Sequence, residues 1–175
     1  MKRRLQVAGC WLLVAGCVSL SAGGFARAQM VEQAPVADMN AAGKPKAYVV
    51  YAAEPQTVTA GKNAVLELRF RVMQGFHVNS HTPKSELLIP TALTLGAAVG
   101  VKAGALEYPA GQSYSFSFDP KEKLDVYAGD FTVKLPVVAA AGEHTIAGTL
   151  RYQACDNASC YPPKTLPVQV LFTAK

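Results

Sequence analysis

Between Asn63 and Met73 the chain reads NAVLELRFRVM, in which Val65, Leu66, Leu68, Phe70 and Val72 mostly alternate with Glu67, Arg69 and Arg71. Successive strand residues point to opposite faces, so a period of two specifies a strand with one buried face and one wet face. Comparable runs are expected at Ala47–Ala53, Leu87–Leu95 with a break at Pro90, Val99–Tyr108, Leu124–Tyr127, Phe131–Val138, His144–Gln153 and Leu166–Phe172. Their separators (AGK, QGF, LGAAVG, PAGQ, YAGD and AAGEH) each contain a glycine that permits a tight turn. No stretch carries a long helical period. The expectation is an all-β, immunoglobulin-like β-sandwich in a single domain over residues 47–175.

The first 28 residues have a different character. MKRR is a basic start, Leu5–Leu20 is mainly apolar, and the ARA ending at Ala28 has the small-x-small form of a signal-peptidase site. This reads as a signal peptide over residues 1–28, and export places the mature chain in the periplasm. An overlapping lipobox, LVAGC at 13–17, offers lipidation of Cys17 as the alternative, which would tether the domain to a membrane. Cys10 is lost with the signal on either route. Gln29–Lys46, rich in Ala, Pro, Gly and polar residues, reads as a flexible leader.

Export also reinterprets the charge. Of 17 basic residues four lie in the signal, with no acid among them, so the formal +5 falls to 13 against 12, or +1. Nothing then favours nucleic acid as a partner. The mature chain is long enough to build a sizeable core without disulfides.

Two of the four cysteines lie in YQACDNASCYPP, Tyr152–Pro163. In an oxidising compartment such a pair can form a disulfide. Asp156 and Asn157 favour a turn that brings Cys155 and Cys160 together. A bond closing so short a loop would stabilise by about 2.5 kcal/mol, and a staple meant for a sandwich would more plausibly join segments distant in sequence. The residues leave three readings open: a redox pair, a structural staple, and part of a metal site. The metal reading would recruit His77 and His81 from HVNSH. At strand spacing their rings lie roughly 13 Å apart, which favours a polar strand end with surface histidines, and no metal is assigned. Asp119, Glu122, Asp125 and Asp130 read as a solvated, turn-rich face. There is no phosphate-binding glycine loop and no nucleophile elbow.

RYQACDNASCYPP resembles the redox motif of the amino-terminal periplasmic domain of the DsbD thiol:disulfide interchange reductase family. GFHVNSHTPKSELLIPTAL and LDVYAGDFTVKLPV extend the resemblance over most of Tyr48–Phe172. It implies an immunoglobulin-like electron carrier with no cofactor, and protein-disulfide reductase activity if the pair cycles. The donor would be a thioredoxin-like or membrane thiol reductase. The acceptor would be a periplasmic disulfide isomerase or a cytochrome c maturation protein. By the same resemblance Cys160 forms mixed disulfides, Cys155 resolves them and Tyr161 lies in the site. Phe116 or Phe118 in YSFSFDPKEKLDVY would supply an aromatic cap, although the acidic-aromatic-aromatic-Gly cap of the family has no clear counterpart here. The competing function is a non-enzymatic immunoglobulin-like binding or assembly module whose disulfide only holds a loop.

Overall fold

A computed structural model describes residues 47–116 and 119–175. The signal, the leader, the lipobox with Cys17, and Phe118 therefore lie outside the described residues. Twelve strands follow in order: β1 Val49–Ala52, β2 Gln56–Val58, β3 Ala64–Val72, β4 His77–Asn79, β5 Ala92–Leu95, β6 Val101–Ala103, β7 Gln112–Phe116, β8 Asp119–Tyr127, β9 Asp130–Ala139, β10 Gly142–Tyr152, β11 Ala154–Cys155 and β12 Lys164–Ala174. They form three four-stranded sheets, ordered β1-β3-β9-β6, β2-β12-β10-β5 and β11-β4-β8-β7. The fold is an all-β, immunoglobulin-like sandwich, and no helix occurs among the described residues.

The alternation in the sequence is the alternation of burial. Leu66, Leu68, Phe70 and Val72 of β3 and Val133, Leu135 and Val137 of β9 face inward from the first sheet. Ile146, Leu150 and Tyr152 of β10 and Val168, Val170 and Phe172 of β12 meet them from the second, in one continuous core. The outward residues of β3 are paired at the surface: Arg71 donates to both carboxylate oxygens of Asp130, at 2.6 and 2.9 Å. Asp130 is thus ion-paired at the start of a strand, and Glu122 and Asp125 lie within β8. The stretch read as turn-rich is largely the long strand β8, because Gln112–Phe116 supplies an unforeseen partner strand, β7.

Two other expected strands are shorter than the pattern implied. Leu87–Leu95 forms a ladder only from Ala92, since Pro90 has no N–H to donate, and Leu87 is almost fully exposed. Val99–Tyr108 is regular only over β6. Beyond it the backbone touches β9 at Gly104 and Glu107, and Tyr108 turns aside so that its hydroxyl accepts the Leu93 N–H at 2.8 Å. The glycine of PAGQ does not serve a positive-φ turn as Gly61, Gly75, Gly100, Gly129 and Gly142 do. Gly111 leaves room for the Asp125 carboxylate, which occupies the position of a side chain there.

The arrangement that positions the cysteines is simple. The β10–β12 ladder closes at Tyr152 opposite Lys164, and the intervening residues 153–163 leave the end of the sandwich as an excursion. Its first limb, β11, is captured by β4 of the third sheet.

Candidate functional site

Cys155 and Cys160 are disulfide-bonded and face each other as an antiparallel bridge pair, Cα atoms 3.9 Å apart. The backbone pairs on both sides of them: the Tyr161 N–H donates to Ala154 O at 2.8 Å, and the Asp156 N–H to Ser159 O at 3.0 Å. Asp156 organises the turn. One carboxylate oxygen accepts the N–H groups of Ala158 and Ser159, both at 2.8 Å, and the other accepts the Tyr161 hydroxyl in a short hydrogen bond. An aspartate that bonds its own backbone two and three residues ahead is the usual physical basis of a tight turn. That bond to Asp156, before burial, raises the Tyr161 phenol above its ordinary range and keeps it a donor.

Gln153 holds the two limbs to the body. Its amide donates to Tyr161 O at 3.2 Å, and its oxygen accepts from the Asn79 amide at 3.2 Å, which also donates to Ile89 O. Tyr161 stacks on Tyr48 with centroids 5.1 Å apart, and the Lys164 amine lies 4.5 Å from the centre of the Tyr48 ring. The Tyr48 N–H donates to the buried Tyr152 hydroxyl. Each named member of the YQxC…CYPP pattern thus has an identifiable contact except the two prolines. Those lack N–H groups, and they end the excursion just before the β12 ladder resumes.

The two sulfurs have different surroundings. Cys155 is fully buried, clustered with Phe116, Leu124 and Val126, whereas Cys160 is exposed. Phe116 lies over the buried cysteine, and the Tyr114 hydroxyl donates to Asn157 Oδ1 at 2.9 Å, tying β7 to the turn. The strand pair β7–β8 therefore packs against Cys155.

The two histidines separate. His81 is exposed, its ring stacked on Tyr108 and its Nδ1 at 3.0 Å from Thr91 O, as the surface reading expects. His77 corrects that reading. It is only 4 % exposed, it pairs with Cys155 across β4 and β11, and its ring lies 4.0 Å from that of Tyr114. A period of two placed it under the aromatic residues of β7, a strand the sequence had not revealed. Among the described residues no group of three His, Cys, Asp or Glu side chains gathers as a metal would need. Asp156 was read as a turn former without its bond to Tyr161, and Tyr114 and Asn79 were missed as members of the site. The signal for Asp156 was its place two residues before a small residue in a turn; Tyr114 had none without its strand partner.

The model of the DsbD thiol:disulfide interchange protein N-terminal family matches residues 46–171. The chain belongs to this family. Among solved structures it is similar to the N-terminal domain of Neisseria meningitidis DsbD in the reduced form, at 20 % identity and TM-score 0.42, over 66 % of this chain and 86 % of that one. It is also similar to the N-terminal periplasmic domain of ScsB from Proteus mirabilis, at 9 % identity and TM-score 0.46, over 70 % of this chain and 44 % of that one. The chain thus spans less than half of the ScsB domain. Comparison with curated proteins finds no match. Membership in the DsbD N-terminal family makes thiol–disulfide chemistry at Cys155 and Cys160 the central question.

Burial pushes the His77 imidazole below its ordinary 6.5, with a smaller opposing pull from the Asp156 charge. The sign follows from linkage. Below pH 6.5 the unfolded chain takes up a proton that native His77 resists, so stability falls from there until the lower folded pKa is passed. The acid-induced loss of stability between about pH 7 and about pH 5 is expected to shrink in His77→Asn, measured by urea midpoints at both pH values.

Proposed function

We propose that the chain is a periplasmic thiol–disulfide exchange module that relays reducing equivalents through Cys155 and Cys160. The observation that carries this reading is the asymmetry of the pair: Cys160 is exposed and Cys155 is fully buried. Thiol exchange proceeds by in-line attack of a thiolate on one sulfur, so access selects the sulfur attacked. A donor thiolate reaches Cys160, the Cys155–Cys160 bond breaks, and Cys155 leaves with the electron pair. A second donor thiol then attacks the mixed disulfide and releases the reduced chain. In the forward relay the Cys160 thiolate attacks an oxidised partner and Cys155 resolves the complex. The donor is a thioredoxin-like or membrane thiol reductase. The acceptor is a periplasmic disulfide isomerase or a cytochrome c maturation protein.

Phe116 and Tyr161 support the site from either side, the first over Cys155 and the second through Asp156. No cofactor enters this scheme. The export signal over residues 1–28 supplies the compartment, and Cys17 a membrane tether if it is lipidated.

In a background lacking Cys10 and Cys17, the lone Cys160 thiolate of Cys155→Ala is expected to attack the disulfide of an oxidised thioredoxin-like partner, releasing one partner thiolate and accumulating a mixed disulfide seen by intact mass under non-reducing conditions. Absence of that adduct, together with a reduction potential well below about −300 mV, would mark the bond as a staple and sink the relay.

A further inference from the structure

We propose that His77 is the general base that takes the proton from Cys155 when Cys155 resolves a mixed disulfide. The inference rests on the relay reading and assigns a residue to its second step.

His77 and Cys155 are directly opposed in the antiparallel β4–β11 ladder. Residues so opposed share a face, with Cβ atoms about 5 Å apart. His77 is 4 % exposed, yet its Nε2 has no hydrogen-bond partner among the described residues. Buried polar atoms are nearly always paired. In the oxidised chain Cys155 has no S–H to offer. Reduction creates one, opposite an imidazole nitrogen that lacks a donor.

Cys155 sits among Phe116, Leu124 and Val126. A thiol in apolar surroundings ionises less readily than a free one, so its attack requires a proton acceptor at hand. The groups facing His77 suit that role. Tyr114 of β7 contributes its ring face, and the turn after β11 contributes the Asp156 carboxylate. From β8, Tyr127 is turned away, its hydroxyl bonded to Pro109 O and to the His81 N–H. Burial keeps the resting imidazole neutral, the form a base needs. Asp156 then favours the imidazolium that forms.

With Cys160 bonded to a partner sulfur, His77 Nε2 accepts the Cys155 proton. The Cys155 thiolate attacks Cys160 Sγ, the Cys155–Cys160 bond forms, and the Cys160–partner bond breaks. The electron pair leaves on the partner thiolate, and the imidazolium proton passes to solvent. In the reverse direction the imidazolium protonates Cys155 as it leaves.

The test uses the full chain with Cys10→Ser and Cys17→Ser, reduced and mixed with dithiobis-nitrobenzoate. Attack by Cys160 releases one thionitrobenzoate, and resolution by Cys155 releases the other. His77→Asn and His77→Phe are expected to leave the first phase unchanged and to slow the second by about 10²-fold near neutral pH. The deficit should close as pH rises and the Cys155 thiol ionises unaided. A second phase at the wild-type rate and with the wild-type pH profile in both variants would overturn the assignment. So would equal slowing of both phases, which marks a distorted site. If the wild-type chain shows both phases but exchanges nothing with a thioredoxin-like donor, the relay reading fails while the His77 assignment stands.

Discussion

Replacing Cys160 by alanine is expected to abolish exchange with a thioredoxin-like donor, down to the rate seen without protein, while the sandwich remains folded. Cys155 remains in that variant, but it is fully buried beside Phe116, Leu124 and Val126. An incoming disulfide cannot reach it without displacing β7 and β8. The two single-cysteine variants therefore differ in kind: Cys155→Ala traps an adduct, and Cys160→Ala forms none. Stability should change little by comparison. The bond closes a loop with a sequence separation of 5, and constraining so short a loop is worth about 2.5 kcal/mol in the chain-entropy account. Far-ultraviolet circular dichroism and a urea titration would establish that the fold persists. Exchange retained by Cys160→Ala would mean that Cys155 is reachable, and the assignment of roles would be reversed.

The largest loss of stability is expected at the first residue of the cysteine motif. Tyr152 is 1 % exposed and is the bulkiest of the fully buried side chains. It ends β10 opposite Lys164, where the excursion that carries both cysteines begins. Its hydroxyl accepts the buried Tyr48 N–H at 3.3 Å, and Tyr48 in turn stacks on Tyr161. Tyr152→Ala opens a cavity of aromatic size and also leaves that N–H without its partner. Aromatic-to-alanine changes in cores cost about 3–5 kcal/mol, and an orphaned buried donor adds about 1–3 kcal/mol. Tyr152→Phe separates the contributions, since it keeps the ring and is expected to lose only about 1–3 kcal/mol for the donor left unpaired. Urea midpoints at constant m-value would measure both. A loss below about 1 kcal/mol in Tyr152→Ala would show that the end of the sandwich collapses onto the gap.

Most of the sandwich was legible because burial on one face writes a period of two into the sequence. The β3 and β9 runs show it in their inward Leu, Phe and Val residues. The legible part of the site was equally local: the two cysteines, the Asp156 turn between them and the prolines that end it lie within twelve consecutive residues. The strands that were misread fail for physical reasons. β7 reads QSYSF, with a single buried residue, Phe116, because it lies at the edge of its sheet, and such a strand carries no core alternation. β4 has three residues, all buried, so it has no alternation to display.

The sequence alone determined the fold class and the family, and placed the two cysteines close enough to pair, since each depends on neighbours in the chain or on a contiguous motif. Only the tertiary structure decided which sulfur is buried and what lies against it. His77 is 78 residues from Cys155 in the chain, and Phe116 is 39. Both reach it through the third sheet, where β4 pairs with β11 on one side and with β8 on the other. Contacts made across strand pairs depend on register, and register is set by the packing of the whole sheet.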